Sequence, residues 1–154
     1  MSEAARDFWR RYLDTLPEGH RHRAAPFDAF SFGDTAELAD DLAALVVSGV
    51  KRATASLPVE FTSQGLPLPA AGDVSVVMRF DGTPVAILEL VEVRHLPFGS
   101  VDAAFAAEEG EGDGTLAGWQ AAHRNYFGRV AARQGLDFNE TMPVICQRFK
   151  VIWR

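Results

Sequence analysis

Hydrophobic spacing switches several times along the chain between a helical and a strand-like period, and the switches mark out its elements. Over residues 4–16, Phe8, Trp9, Tyr12, Leu13 and Leu16 share one helical stripe, which predicts an amphipathic helix ended by Pro17 and Gly19. His20-Arg21-His22-Arg23 follows as a short polar connection, read first as a solvated loop and second as a patch able to touch phosphate. The clearest helix runs from Asp34 to Ser48. Asp34 is its expected N-cap, with Glu37 three residues on as an approximate capping box. Leu38, Leu42, Leu45 and Val46 line the apolar face, and Gly49 stands where a left-handed residue ends a helix. The chain then turns sharply into Lys51–Leu57, a stretch suited to a buried strand.

Residues 58–71 are rich in Pro, Gly and Ser and read as a long covering loop. Gly72-Asp73 opens a strand over 74–80, Asp81-Gly82 signals a hairpin turn, and 85–93 returns as a second strand. Both runs are almost continuously apolar, as expected for strands covered on two faces or curled into a barrel. A short helix is expected over 102–109, then the acidic, glycine-rich EEGEGDG. A long helix follows over 115–134, with Leu116, Trp119, His123, Tyr126, Phe127 and Val130 on one face and Gly135 as its stop. Residues 142–153 alternate well enough to close the chain as a strand.

The elements form no repeats and show no linker, so 154 residues are expected to make a single domain over 1–154, with the N-terminal helix packed on it. No apolar run approaches the ~20 residues of a membrane span, and MSEAARDFWRRYL lacks the apolar centre of a secretory signal. The one cysteine, Cys146, has no partner for an internal disulfide, and no Cys/His spacing suggests zinc. A cytoplasmic protein without metal or cofactor is the expectation. The net charge of −6 changes the picture more. Proteins that grip duplex DNA or long RNA usually carry a basic field, so a nucleoside or a short single-stranded contact fits better.

The chemistry concentrates in SGVKRATASL, residues 48–57. Taken singly, its residues have plain explanations. Lys51 suits a helix C-terminus, Thr54 is an ordinary strand residue, His123 a core histidine, and Glu108, Glu109, Glu111 and Asp113 a solvated acidic loop. Together they offer more. A partly buried lysine amine can deprotonate a neighbouring hydroxyl, making a Thr–Lys nucleophilic pair. A carboxylate from EEGEGDG can then pass the proton to a leaving amine. Lys51 and Thr54 converge only if Lys51 belongs to the turn or a bulge breaks the strand, because residues three apart on a strand face opposite ways.

GVKRAT, residues 49–54, matches the G-x-K-x-x-T element of the ASCH domains, named for homology to a transcriptional coactivator. FGDTAELADDLAALVVSG, PLPAAGDVSVV, ILELVEVRHLPFGSVD, AEEGEGDGTLAGWQAAHRNYF and MPVICQRFKVI also resemble the longer bacterial form of that domain, in the same order, from about Phe8 to Ile152. The resemblance implies an α+β, PUA-like fold: a curled mixed β-barrel with flanking helices and a cleft beside the GxKxxT turn. It also implies RNA-related work. Some small ASCH proteins are amidohydrolases that remove the acetyl group of N4-acetylcytidine, and other, longer members are associated with RNA cleavage. Carried over by motif, Lys51 is the candidate base, Thr54 the nucleophile and Glu111 the acid/base, with Glu109 as the alternative glutamate. Arg52, Glu109, Trp119, His123 and Tyr126 are candidate substrate contacts; Trp119 and Tyr126 could stack a base, with core packing the better reading for at least one of them at their helical spacing. The expected partner is a modified nucleoside or single-stranded RNA. A non-catalytic RNA-binding module and a small-ligand sensor or adaptor are the competing readings.

Overall fold

Ser2 opens the first helix by accepting a hydrogen bond from Ala5 N, and α1 runs over Glu3–Asp14. The computed structural model describes every residue from Met1 to Arg154. After α1 come β1 (Asp28–Phe30), α2 (Ala36–Ser48), β2 (Ala53–Ser56), the one-turn helix α3 (Val59–Thr62) and β3 (Val74–Met78). They are followed by β4 (Pro84–Pro97), α4 (Ala103–Glu109), α5 (Leu116–Arg133) and β5 (Pro143–Trp153). The five strands are hydrogen-bonded in the order β1-β3-β4-β5-β2. β1 is parallel to β3, while β3 and β4 and likewise β2 and β5 are antiparallel. This is a mixed α+β fold. β1 and β2 end the row, so the sheet stays open where the resemblance implied a barrel. No helix is long and apolar enough to cross a membrane.

The chain packs as two compact units, one of Met1–Val50, Ala71–Leu90 and Phe149–Arg154, the other of Lys51–Ala70 and Val91–Arg148. In the first unit Phe8, Trp9 and Tyr12 of α1 pack on Val74, Val76 and Met78 of β3 and Ile87 of β4. Each such side chain, once buried, contributes roughly 1.5–3 kcal/mol. Within His20–Arg23, His22 belongs to this packing while Arg21 and Arg23 stay exposed, so the solvated-loop expectation is corrected at His22. Arg21–Arg23 form a 3-10 turn with His22 buried in it. His22 Nδ1 meets the Tyr12 hydroxyl at 2.7 Å, and Nε2 lies 3.7 Å from the buried Glu89. Arg21 also binds Glu89, and Arg23 donates to Leu13 O at 2.8 Å and Pro17 O at 3.0 Å. The bond to Leu13 O absorbs a carbonyl that the end of α1 leaves open, so Arg23 holds the helix end. Burial, and next the Arg21 charge, hold His22 below the ordinary histidine range, with Glu89 opposing them.

The start of α2 also differs from the expectation. Thr35, and not Asp34, is the N-cap, accepting from Leu38 N at 3.2 Å. That shift leaves Glu37 one position short of a capping box. The helix ends as its sequence demands. Gly49 has φ +81, and Gly49 N and Val50 N return to Val46 O and Leu45 O at 3.1 and 3.0 Å. A Cβ at Gly49 would meet nothing within 4 Å, so the cost of adding one is conformational. Gly49→Ala should therefore lose about 1 kcal/mol, seen as a lower denaturant midpoint at constant m. A loss several times larger, or a changed m, would mean that the turn does more than end the helix.

In the second unit, Ala53, Ala55 and Leu57 pack with Phe98, Phe105, Trp119, Phe127, Val144 and Cys146. Residues 58–71 are not wholly a loop, since α3 sits at their start. β4 outruns the expected 85–93 strand, and within it only residues 86–90 are continuously buried.

Candidate active site

Lys51 and Arg52 lie between α2 and β2, before the strand begins at Ala53. Strand alternation therefore does not fix where Lys51 points relative to Thr54. Arg52 N donates to Glu108 O at 2.8 Å, tying the turn to a carbonyl in the last turn of α4. The Arg52 side chain is exposed. Lys51 goes the other way. Its side chain has no solvent exposure, and its ammonium donates to Ala53 O at 2.7 Å and to Glu111 Oε1 at 2.6 Å.

Two carboxylates reach this ammonium because of one glycine. Glu109 is the last residue of α4, and Gly110, with φ +65, reverses the backbone in a conformation that side-chain-bearing residues rarely adopt. Glu111 then returns to the same cation. Glu109 Oε1 lies 4.0 Å from Lys51 Nζ. Glu109 has no exposure, whereas Glu111 is 23% exposed. The two glutamates thus differ in kind. Glu109 is enclosed, and Glu111 faces both the lysine and solvent.

Glu109 is held from behind by α5. Its Oε2 accepts from Trp119 Nε1 at 2.6 Å and lies 3.0 Å from His123 Nε2. His123 Nδ1 sits 2.9 Å from Trp119 O. A carbonyl only accepts, so Nδ1 carries a proton, and the charged ring donates from Nε2 to Glu109. Burial alone would lower the His123 pKa, but the Glu109 hydrogen bond and charge, with the Glu111 charge, outweigh it and raise it. Burial alone would raise the Glu109 pKa. The Lys51 charge, His123 and the Trp119 N–H together hold it below the ordinary range.

Trp119 has no face for a nucleobase. One side stacks on Phe98 at 5.3 Å and the other on His123 at 4.2 Å between ring centroids. Of the two readings, core packing describes Trp119, and the indole serves as a donor to Glu109. Tyr126 is half-buried, gives its hydroxyl to Glu60 Oε1 at 2.6 Å, and carries the Arg129 guanidinium 5.8 Å from its ring centroid. Thr54 is half-buried on the face of β2 opposite Ala53 and Ala55. Its register partner is Gln147, whose amide reaches Ser56 Oγ at 3.3 Å.

The structure thus brings Lys51, Glu109, Glu111, Trp119 and His123 together. Three residues of this unit were missed by sequence reasoning. Glu60 accepts from Leu57 N at 2.7 Å as well as from Tyr126, and burial raises its pKa against those bonds. Gln147 is buried, and a polar residue inside the apolar VICQRF was a signal for it. Arg148 joins Glu108 and Glu92 at 2.6 and 2.7 Å. Glu109, Glu111 and His123 also offer ligand atoms within 4.8 Å of one another, a set that Cys/His spacing does not reveal.

A family model described as the ASCH domain matches residues 28–153. Among solved structures, the ASCH domain of Lactobacillus crispatus is 35% identical with a TM-score of 0.93, over 100% of this chain and 97% of that one. A protein of Enterococcus faecalis is 30% identical with a TM-score of 0.84, over 99% and 90% of the two chains. No curated protein matches the chain.

Proposed function

The chain belongs to the ASCH domain family, and we propose that it hydrolyses the amide of an acylated nucleobase, of the N4-acetylcytidine type, at Lys51, Thr54 and Glu111. The observation that carries this reading is the 2.6 Å pair between an enclosed Lys51 ammonium and a partly open Glu111. Within such a pair a proton can pass from nitrogen to oxygen over one short hydrogen bond. The freed amine takes the Thr54 hydroxyl proton as Oγ attacks the amide carbon. Glu111, now protonated, gives its proton to the departing nucleobase amine. Water then cleaves the acyl-threonine ester, its proton returning through the pair, and acetate leaves. One water is consumed, and the products are nucleoside and acid.

Electrostatics favour an uncharged reacting group over a phosphodiester. Arg148 pairs Glu108, and Lys51 and His123 pair the enclosed Glu109, so Glu111 is the carboxylate beside the lysine that solvent reaches. A polyanion brought there meets like charge, while a neutral amide does not.

Loss of N4-acetylcytidine absorbance tests the reading. The wild type should turn the substrate over, and Glu111→Gln should lower kcat about 10²- to 10⁴-fold. Thr54→Ser should keep activity that Thr54→Ala loses. Equal rates for Thr54→Ala and wild type would remove the nucleophile, and wild type without turnover would sink the amidohydrolase. Labelled single-stranded RNA in parallel would then separate a nuclease from a recognition module.

A further inference from the structure

We infer that the Lys51 pocket is a divalent-cation site whose cation is supplied by the chain itself, and that an ion of the Zn2+ or Co2+ class competes with the lysine for Glu109, Glu111 and His123. The donor set is one imidazole nitrogen and two carboxylates, each offering an atom within 4.8 Å of the others. Nitrogen and carboxylate donors in that number suit borderline divalent ions, with remaining positions left to water.

Two observations beyond the spacing of the donor atoms point to a ligand. Glu109 Oε1 is buried and accepts no hydrogen bond. It faces the Lys51 ammonium from 4.0 Å, beyond hydrogen-bonding reach. This is a charged oxygen aimed into the pocket, with the Lys51 charge opposite it and no donor on it. The second is the orientation of His123. Its Nδ1 is engaged by Trp119 O at 2.9 Å, which leaves Nε2 as the ring atom facing Glu109. A backbone carbonyl holding one ring nitrogen while the other faces the site is how ligating histidines are usually set. Glu109 has a fixed second shell as well, through the 2.6 Å bond from Trp119 Nε1.

Lys51 decides which cation is present. Its Nζ is 2.6 Å from Glu111 Oε1, so a dication on the same carboxylate would sit within a few ångströms of the ammonium. One cation or the other occupies the pocket. Binding of the ion releases the Nε2 proton of His123 and frees Glu111 from Lys51. The inference concerns binding and stands apart from any turnover.

The test is a calorimetric Zn2+ titration of wild type, Lys51→Met, and Lys51→Met combined with His123→Ala, with Co2+ as a spectroscopic probe in the same three proteins. A like charge at this range shifts an equilibrium by about one to three powers of ten. Lys51→Met should therefore bind one Zn2+ about 10- to 1000-fold more tightly than wild type, and Co2+ should show ligand-field bands. The His123→Ala change should abolish both signals, which separates this site from the other histidines, such as the exposed His95. No gain in Lys51→Met, or a gain that survives His123→Ala, overturns the inference. Should Lys51→Met fail to fold, excess Zn2+ on wild type decides. A shift of the His123 ring resonances supports the site, and unmoved resonances overturn it. Neither outcome bears on amide hydrolysis, which these titrations do not read.

Discussion

Lys51→Ala should cost about 3–5 kcal/mol of stability, because it removes one of the two cations, Lys51 and His123, that face a fully buried carboxylate. Lys51 and Glu109 have no exposure, and Glu109 Oε1 has the Lys51 charge in place of a hydrogen-bond donor. Truncation also leaves unfilled the space of the buried lysine stem. Urea unfolding of wild type and variant measures the loss directly. A change under about 0.5 kcal/mol, the size of ordinary surface substitutions, would contradict the buried counter-ion. The same variant should lose turnover by about 10²- to 10⁴-fold or more. That loss has to be read at a temperature where unfolding curves show the variant folded, since an unfolded protein is inactive for a trivial reason. A Lys51→Met variant keeps more of the volume, so comparing the two separates charge from cavity.

The second large effect belongs to Glu109, and pH exposes it. Its pKa lies below the ordinary glutamate value of 4.5 because Lys51, His123 and Trp119 outweigh burial. A depressed carboxyl contributes stability above its unfolded value and loses it as pH falls through the folded one. The pKa of His123 lies above the ordinary 6.5, because Glu109 and Glu111 outweigh burial. A raised histidine contributes fully below its unfolded value and loses that contribution as pH rises through the folded one. Both contributions are complete between about 4.5 and 6.5. Glu109→Gln retains an oxygen for Trp119 Nε1 but removes the charge that both shifts depend on. The gap in melting temperature between wild type and Glu109→Gln should be widest in that window and narrow on either side. A gap independent of pH would mean that Glu109 acts by packing alone.

How far the site was legible follows from which residues are local. GVKRAT placed Lys51 in a turn after a helix, because Gly49 is the only kind of residue that ends a helix at φ +81 without strain. The same stretch made Lys51 look like a surface lysine. Its complete burial depends on α4 and EEGEGDG, which arrive sixty residues later in the chain. Glu109 and Glu111 were offered as alternatives, and the αL turn at Gly110 turns both toward one ammonium. Spacing on a line cannot show that two carboxylates share a cation. Trp119 stood between core packing and base stacking for a related reason. A helical aromatic beside a histidine suits base stacking until Phe98, from another segment, covers its other face.

The sequence alone determined the class of fold, most helices and strands, and the motif that marks the family. Hydrophobic period, caps and turn residues act over a few positions, so a linear reading captures them. It missed the three-residue β1, which has too few positions to display a period, and it took His20–Arg23 for solvent. Only tertiary structure decided the burial and charge partners of Lys51, Glu109, His22 and Glu89. Desolvation and Coulomb interaction depend on distance in space and on what surrounds a group, and folding sets both.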